Sequence, residues 1–553
     1  MPPKNYPEYS VYSPEFSPFS KKVTVRLLAV STAPLDINQF TSEEWAALNA
    51  ATTIAGEAAL TCYSADLLTP LEFVKRSDKH RARVLRVAGD TRDSGHHSTR
   101  EHKTFIFAVG NLTRNAIYKL HSHPFHVTDQ ESQRYVTMSE EGVVLPRTGN
   151  EPADRLIETA AGELFAGYEQ LTALLFPLAK AHYLKRFPSK TGEKWTKAVD
   201  DEAIKRSQEI ARYLLPLSMG ANLYHSVNEL TLIRLAKLTQ ADHRDPELYS
   251  FVKAMIDAAA AVDPTLLDEI GQPLDISTTP DYQYYLHHET DPYAAADEFD
   301  AYLRGLPGRL DWSDEPDHRL ARAVRLTLGV SENALSDEAA IDLILNPAKN
   351  PVLASVNGEM VIHQLSRALN QVNLSAVVTL SHVIDSQLQR HRGINHTRPL
   401  VLPIPRLEQD IVIPGLVRES PEALELYLRL QANNIAHMQE LATHTGISEN
   451  ILSYLHTNAT RIRKSINGPL GAFHHLWRLR TCLNAQEENY LLARSLVQQL
   501  PAISPIIATH FEKPAPCGVR IRAAMTPICP EGKRYCGLPI WKETIDNYPD
   551  RDI

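Results

Sequence analysis

The sequence predicts an α+β protein made of two similar halves in tandem. Residues 112–124 and 380–392 match at a constant offset of 268 positions, which pairs His123 with His391. The chain has 553 residues, which is too long for one ordinary hydrophobic core. A stretch rich in Pro, Tyr and Asp, residues 263–316, separates the two halves.

Composition narrows the class of protein. Hydrophobic residues make up 43% of the chain and charged residues 22%, as in a globular protein. A net charge of −9 argues against general nucleic-acid or anionic-membrane binding. No apolar run approaches the ~20 residues of a membrane span, and residues 1–7 lack the apolar core of a secretory signal. With five cysteines, an odd and small number, we expect a soluble cytoplasmic protein.

The elements follow from the pattern of apolar residues. Strands are predicted at residues 22–30 and 105–109. Helical patterns cover residues 45–62, 155–186, 201–262 and most of 318–500. The predicted organisation is an N-terminal arm at 1–21, a first copy at 22–290, a linker at 291–316 and a second copy at 317–553.

The triplet Arg390-His391-Arg392 ends a predicted amphipathic helix in the second half. Gln387 would share a helix face with Arg390, and Gly393 would cap the helix. In one interpretation these basic residues only complement the helix dipole. In the other, guanidinium and amide groups converge on a phosphate or a ring carbonyl.

The first half lacks both arginines of this triplet but continues into a polar loop, residues 130–135. There Ser132, Arg134 and the backbone amides between them could hold a phosphate, although a solvated loop is the simpler interpretation. Arg212 precedes an apolar Leu-Leu-Pro run and could bind an anion or pair with an acidic neighbour. A second correspondence, of Thr239 with Arg480, has an offset of 241.

Two groups of residues raise the alternative of zinc, but we predict no metal. His121, His123 and His126 occupy the first-half counterpart of the Arg-His-Arg region, which favours inherited packing histidines. The C-terminal cysteines lack the paired CxxC spacing of a strong zinc motif, so a structural role is favoured over ligation. These cysteines are Cys517, Cys529 and Cys536.

Taken together, these motifs resemble the flavin-dependent thymidylate synthases, as a divergent tandem member. The family hallmark joins Arg-His-Arg to a Ser-x-Arg-Tyr ending. The second half carries its first part at 390–392, and the first half carries its last part at Ser132, Arg134 and Tyr135. The segment 96–102, the Ala-Arg-x-x-Leu-Pro segment at Arg212 and the Leu-Arg-x-x-x-x-Ala-Gln segment at Arg480 also resemble family elements. The cysteine-containing tail resembles one found on some members.

The resemblance implies helices packed on a mixed sheet in each copy, and an intrachain pseudo-dimer. It implies one intact nucleotide site per chain, with Arg480 as the catalytic, ring-polarising residue. The implied nucleotide-binding residues are Gln387, Arg390, Ser132, Gln133, Arg134 and Arg212. The symmetry-related site would draw on Lys119, Ser122, Thr239, Leu400, Leu402 and Ser453, which offer few anion donors.

For FAD the resemblance implies a second set of residues. They are Arg390, His391, Arg392, His96, Ser98, Glu101, Asn228 and His243. Two departures weaken this set: Gln130 stands where an acidic residue is expected, and Asn228-Glu-Leu230 replaces an Asn-x-Arg segment.

The implied reaction is reductive methylation of dUMP to dTMP, with methylenetetrahydrofolate as methylene donor, FAD as cofactor and NADPH as reductant. Two chains would pair as a homodimer. The alternatives are a flavin- and folate-dependent transferase acting on another pyrimidine nucleotide, and a noncatalytic nucleotide-binding paralogue.

Overall fold

The computed structural model describes residues 9–10, 19–31, 40–64, 68–69, 73–121, 125–241, 245–400 and 402–551. The chain divides into two compact units. Unit 1 comprises residues 1–161, 217–290 and 441–455, and unit 2 comprises residues 162–216, 291–440 and 456–553. Each unit therefore contains a stretch from the opposite half of the sequence. The predicted copy boundaries describe sequence repeats and stay a prediction.

The strands are β1 Tyr9–Ser10, β2 Thr24–Val30, β3 Thr104–Thr113, β4 His126–Gln130, β5 Gly220–Asn228, β6 Gly308–Trp312, β7 Asn373–Ser381, β8 Asn395–Thr397 and β9 Arg461–Pro469. The helices of the first 303 residues are α1 Ser42–Asn49, α2 Ala51–Thr61, α3 Asp78–Asp93, α4 Arg114–Leu120, α5 Glu151–Arg186, α6 Thr196–Ala211, α7 Glu229–Ala241, α8 Pro246–Ala260, α9 Thr265–Ile270, α10 Pro280–His287 and α11 Pro292–Leu303. The later helices are α12 Pro316–Leu328, α13 Asp337–Leu345, α14 His382–Leu388, α15 Leu407–Asp410, α16 Gly415–Arg418, α17 Pro421–Ala442, α18 Glu449–Leu452, α19 Leu470–Arg480, α20 Glu487–Gln498, α21 Leu500–Ile503, α22 Pro505–Thr509 and α23 Pro516–Arg522.

Unit 1 is built on a five-stranded sheet in the order β1-β2-β3-β5-β4. Alternate residues of β3, including Phe105 and Phe107, are fully buried, as expected for a sheet with one covered face. The core of the unit joins this face to residues of α7 and α8, such as Leu232 and Phe251.

Unit 2 is built on a four-stranded sheet in the order β6-β7-β9-β8. Strand β7 pairs with β9 along its whole length, from Asn373 opposite Pro469 to Ser381 opposite Arg461. The alternate residues Leu374, Ala376 and Val378 are buried. In both units a central strand of the sheet is followed directly by a short helix: β3 by α4, and β7 by α14.

Three expectations were wrong in detail. Every pairing between described strands is antiparallel, because neighbouring strands enter from opposite edges, so neither sheet is mixed. The helical pattern at 201–262 is interrupted by β5, whose alternate residues are buried against the core. Helix α14 ends at Leu388, so Arg390-His391-Arg392 lies in the turn after the helix rather than in its last turn.

Within the described residues, no helix is both long and apolar enough to cross a membrane.

Candidate active site

The strand-to-helix junction is anchored in the same way in both units. In unit 2 the Ser381 side chain caps α14, and Ser381 donates to the Glu488 carboxylate through its backbone N–H at 2.7 Å and its hydroxyl at 2.6 Å. In unit 1 Thr113 caps α4 and donates to Glu247 from the equivalent atoms, at 2.9 and 2.6 Å. Each carboxylate thus fixes the residue at which the following helix, α14 or α4, begins.

In each unit a tyrosine hydroxyl donates a further hydrogen bond to this carboxylate. Tyr213 donates to Glu488 and Tyr454 donates to Glu247, both at 2.9 Å. Burial raises the pKa of both carboxyl groups, that of Glu247 to about 7. Burial and the adjacent Glu488 likewise raise the pKa of Tyr213 well above its usual range, so this phenol stays a hydrogen-bond donor.

In unit 2 a buried amide joins the two halves of the sequence. The Gln486 side-chain oxygen accepts hydrogen bonds from Arg212 and, at 2.7 Å, from the Gln387 amide. The Gln486 nitrogen donates to the Tyr213 hydroxyl at 3.1 Å. Arg212 comes from the first half, whereas Gln387 and Gln486 come from the second. The structure therefore brings together two of the predicted nucleotide-binding residues, Arg212 and Gln387.

Arg480 meets the Arg-His-Arg turn. Its Nε donates to His391 Nε2 at 2.9 Å, and its Nη2 donates to the Gln387 backbone carbonyl at 3.2 Å. Burial, helped by Arg480, holds the pKa of His391 well below its usual range, so the ring is neutral. Because Nε2 accepts from Arg480, we infer that the proton is on Nδ1. Nδ1 is buried and has no hydrogen-bond partner among the described residues.

The turn itself is shaped by Gly393. A Cβ at this position would lie 2.9 Å from the Ala472 Cβ of α19, so the glycine permits close packing rather than capping a helix. His391 is buried, while Arg390 and Arg392 are exposed. One buried imidazole and two exposed guanidinium groups are therefore held on one tight turn.

The corresponding positions of unit 1 carry different chemistry. Lys119, the counterpart of Gln387, pairs with Asp245 at 2.5 Å and donates to Asn450 at 3.2 Å. Asp245 is the counterpart of Gln486, and Thr239, the counterpart of Arg480, bonds back to its own helix at Leu235. The positive charge of Lys119 is thus neutralised within this cluster by Asp245. Ser122 lies outside the described residues, and Leu400 and Leu402 belong to unit 2.

The predicted phosphate loop lies in unit 1. Backbone N–H groups of Tyr135 and Val136 donate to the Ser132 carbonyl, and that of Arg134 donates to the Ser132 hydroxyl at 3.3 Å. Gln133 is buried, and the Arg134 guanidinium lies over the Tyr135 ring, 5.6 Å from its centroid. The loop is therefore an ordered turn, and its roles in binding stay predictions.

The remaining flavin candidates are also in unit 1. His96, Ser98 and Glu101 are exposed around a short 3-10 turn, which buried Arg100 anchors by donating to Glu269 at 2.6 Å. The Asn228 side chain caps α7 by accepting from the Thr231 backbone at 2.9 Å. His243, like His123 of the histidine group, lies outside the described residues.

Three residues that order the unit 2 cluster were not predicted from the sequence: Tyr213, Gln486 and Glu488. A signal was present, because Tyr213 and Glu488 have identical counterparts, Tyr454 and Glu247, at the offset of 241. Gln486 was part of the segment matched at Arg480, but it had no assigned role.

The cluster presents cationic and amide donors. Arg212 and Arg480 supply charge and directional donors, and Gln387 supplies an amide edge. The Glu488 carboxylate already receives three hydrogen bonds, two from Ser381 and one from Tyr213. Guanidinium and amide donors of this kind recognise anionic groups and carbonyl oxygens.

The chain is similar in sequence to a known protein family. The model of the family described as "Thymidylate synthase complementing protein" matches residues 46–265 and again 310–506. The flavin-dependent thymidylate synthase of Clostridium tetani (strain Massachusetts / E88) is 24% identical over 180 residues, which are 32% of this chain and 66% of that relative. The chain thus spans slightly less than two thirds of that protein's length.

Among solved structures, the UMP/dUMP methylase PolB from Streptomyces cacaoi, bound with 5-Br dUMP, is 17% identical. The similarity covers 45% of this chain and 93% of that one, with a TM-score of 0.28, too low to carry an argument. The two family matches together cover well over half of the 553 residues. The chain therefore belongs to the flavin-dependent thymidylate synthase family, whose model matches two successive regions of it.

Proposed function

We propose that the protein methylates a pyrimidine nucleotide, converting dUMP to dTMP, at one site per chain. The observation that carries this proposal is the Gln486 amide, which joins Arg212 of the first family region to Gln387 of the second within unit 2. In this proposal the chain acts as an intrachain pseudo-dimer, and two chains pair as a homodimer.

Arg480 has the catalytic role in this proposal. Its guanidinium would lie against the uracil ring and stabilise the negative charge that develops there when C5 attacks the methylene carbon. The hydrogen bonds to His391 and to the Gln387 carbonyl fix its orientation beforehand, so little reorganisation is needed during reaction.

Arg212 and Gln387 are proposed to bind the nucleotide, together with Arg390. Ser132, Gln133 and Arg134 are proposed to bind the phosphate of the same nucleotide, on the strength of the motif match alone. In the equivalent cluster of unit 1 the Lys119–Asp245 pair offers no net charge for a second nucleotide.

The chain also offers groups that fit a flavin. Buried His391 Nδ1 can donate to a flavin heteroatom, and Arg390 and Arg392 can hold a pyrophosphate. His96, Ser98, Glu101, Asn228 and His243 remain proposed FAD residues. A bound reduced FAD would supply the hydride, with methylenetetrahydrofolate giving the methylene group and NADPH renewing the reduced flavin.

The test is release of tritium from [5-³H]dUMP with FAD, NADPH and methylenetetrahydrofolate, run beside a dUMP titration. Release together with one bound nucleotide per chain is the expected result. Tight nucleotide binding without release would instead favour the binding paralogue, or a transferase acting on another pyrimidine nucleotide. Two nucleotides per chain would contradict the single-site proposal.

A further inference from the structure

An open cavity of unit 2 lies apart from the candidate active site. Its volume is about 340 Å³, and it is bounded by helix α11, strand β9 and the segments 397–399 and 402–405. All of these belong to unit 2. None of the described lining residues belongs to the cluster around Arg480 and Gln486. Small-molecule sites begin at about this volume, so the cavity fits a ligand of about one ring.

Helix α11 is fastened over β9 by polar contacts. Arg463 of β9 pairs with Asp300 of α11 at 2.6 Å. The Tyr293 hydroxyl of α11 donates to the Ile404 carbonyl at 3.0 Å. Helix α11 lies between the two regions that the family model matches, so this wall of the cavity is not part of either region.

The lining that comes from α11 and from the two neighbouring segments is mainly apolar. It includes Ala296 and Phe299 of α11, together with Pro399, Leu402 and Pro403. Ala296, Phe299 and Leu402 are half-buried, which leaves part of each side chain able to contact a ligand. Because covering such a surface removes it from water, the cavity favours a ligand with an apolar ring or chain over a fully hydrated ion.

The charged groups around the cavity form a balanced set of ion pairs, with one exception. Four cations pair with four carboxylates: Arg398, Arg406, Arg463 and Lys464 with Asp297, Asp300, Asp385 and Asp410. The exception is Arg461, which lines the cavity and has no carboxylate partner among the described residues. One positive charge is therefore left over at the cavity.

Arg461 is held in place but keeps donors available. Its Nε donates to the Gln409 backbone carbonyl at 3.0 Å, and its two terminal nitrogens make no hydrogen bond within the described part of the chain. The preceding residue, Thr460, also lines the cavity and is only 2% exposed. The Thr460 hydroxyl has no hydrogen-bond partner among the residues that the structure describes. A buried hydroxyl of this kind is satisfied when a ligand or a water molecule binds to it.

We propose that this cavity is a second ligand site, which binds a small carboxylate with an apolar body of about one ring. The terminal nitrogens of Arg461 would hold the carboxylate as a bidentate pair, and Thr460 would supply a further hydroxyl donor. The apolar body would contact Ala296 and Phe299. A ligand with a single negative charge would balance the one cation that has no carboxylate partner.

The corresponding strand of unit 1 does not carry the same group. At the offset of 241, the counterpart of Arg461 is Gly220, and the counterpart of Arg463 is Asn222. Both cations that β9 presents beside α11 are thus absent from the equivalent positions of β5. The proposed carboxylate site is therefore expected once per chain, in unit 2.

The test is ¹⁹F NMR titration of the full-length chain with 4-fluorobenzoate. We expect a Kd below about 1 mM, and binding of the neutral analogue 4-fluorobenzamide that is weaker by about tenfold or more. Arg461→Gln should weaken 4-fluorobenzoate binding by about tenfold or more. Arg429→Gln is the matched control, because Arg429 is an exposed arginine of α17 in the same unit, and it should leave the Kd unchanged.

A second variant tests the apolar side without changing any charge. Ala296→Trp would fill part of the cavity and should also weaken 4-fluorobenzoate binding by about tenfold or more. Far-UV circular dichroism like that of the wild type would show that Arg461→Gln and Ala296→Trp are folded. None of these readouts depends on the proposed enzymatic activity.

Four results would overturn the proposal. They are no binding of 4-fluorobenzoate up to about 10 mM, equal affinity for the amide, an unchanged Kd in folded Arg461→Gln, and an unchanged Kd in folded Ala296→Trp. Tighter binding of 4-fluorophenyl phosphate than of 4-fluorobenzoate would contradict the assignment to a carboxylate.

Discussion

Tyr213 and Tyr454 hold equivalent positions in the two units, each donating a 2.9 Å hydrogen bond to a carboxylate that anchors a strand-to-helix junction. One difference between them concerns the candidate site. The Tyr213 hydroxyl also accepts from Gln486, whose counterpart in unit 1 is Asp245, an ion-pair partner of Lys119. The shared bond serves folding, and the additional bond connects Tyr213 to the candidate site.

This difference makes the two tyrosines a matched pair. We expect Tyr213→Phe and Tyr454→Phe each to lower the free energy of unfolding by about 1–2 kcal/mol, because each leaves a buried carboxylate with one donor fewer. Only Tyr213→Phe should also lower kcat/KM for dUMP. Urea unfolding and tritium release on both variants check this. Equal losses of activity would contradict a separate role for Tyr213.

Gln486→Leu tests the bridge directly. Removing the amide leaves the Arg212 and Gln387 donors without their shared acceptor, so both should lose their fixed positions. We expect nucleotide affinity to fall by about tenfold or more, since about 1.4 kcal/mol corresponds to a factor of ten. Calorimetric titration with dUMP measures it, and unchanged affinity would mean that Gln486 has only a packing role.

Arg480→Lys separates chemistry from binding. Lysine keeps the positive charge but cannot reproduce the guanidinium bonds to His391 and the Gln387 carbonyl. Tritium release should fall by about 100-fold or more, while dUMP affinity changes by less than about tenfold. Equal losses in both quantities would assign Arg480 to ground-state binding.

Lys119→Gln places in unit 1 the residue that unit 2 has at the equivalent position, Gln387. The Lys119–Asp245 pair is partly exposed, so its loss should cost less than about 1 kcal/mol of stability. Tritium release and the stoichiometry of one nucleotide per chain should not change. A severalfold loss of activity would show that this cluster takes part in the reaction.

We expect the buried carboxyl group of Glu247 to make the free energy of unfolding depend on pH. Because burial raises its pKa from 4.5 to about 7, the folded chain holds this proton more tightly than the unfolded chain does. Its stabilisation is present below pH 4.5 and is lost as the pH rises through about 7. Glu247→Gln should remove that slope, a difference of up to about 3 kcal/mol.

Chemical denaturation of both proteins across this pH range gives the difference. Glu229, whose pKa is raised to about 8 by burial, titrates in both and therefore cancels. Parallel stability curves would mean that Glu247 ionises in the fold without cost.

The sequence predicted the repeats better than the elements between them. The family resemblance singled out Arg480, Gln387 and the Arg-His-Arg triplet, whose roles stay predictions. Family membership is confirmed by the two matched regions. Strand β5 was missed because Leu-rich helical stretches flank its nine residues on both sides and outweigh their alternation. The end of α14 was misplaced because Gly393 suggests a helix cap when only its sequence position is known.

The connections across the cluster could not be predicted in the same way. Gln486 and Tyr213 are 273 positions apart, and no periodicity relates them. Whether Arg212 meets an acid or an amide depends on tertiary packing. Offsets of 268 and 241 gave correspondences between the halves, but not contacts within a unit.

The composition of the two units constrains how the chain is made. Unit 1 needs residues 441–455, which carry the Tyr454 partner of Glu247, and unit 2 needs residues 162–216 from far upstream. During synthesis the first half thus leaves the ribosome with its core incomplete until most of the second half has followed. If the chain were cut between its two halves, each unit would lose a segment that the other half of the sequence supplies. Because each unit contains a segment from the opposite half of the sequence, the two halves are obliged to fold together.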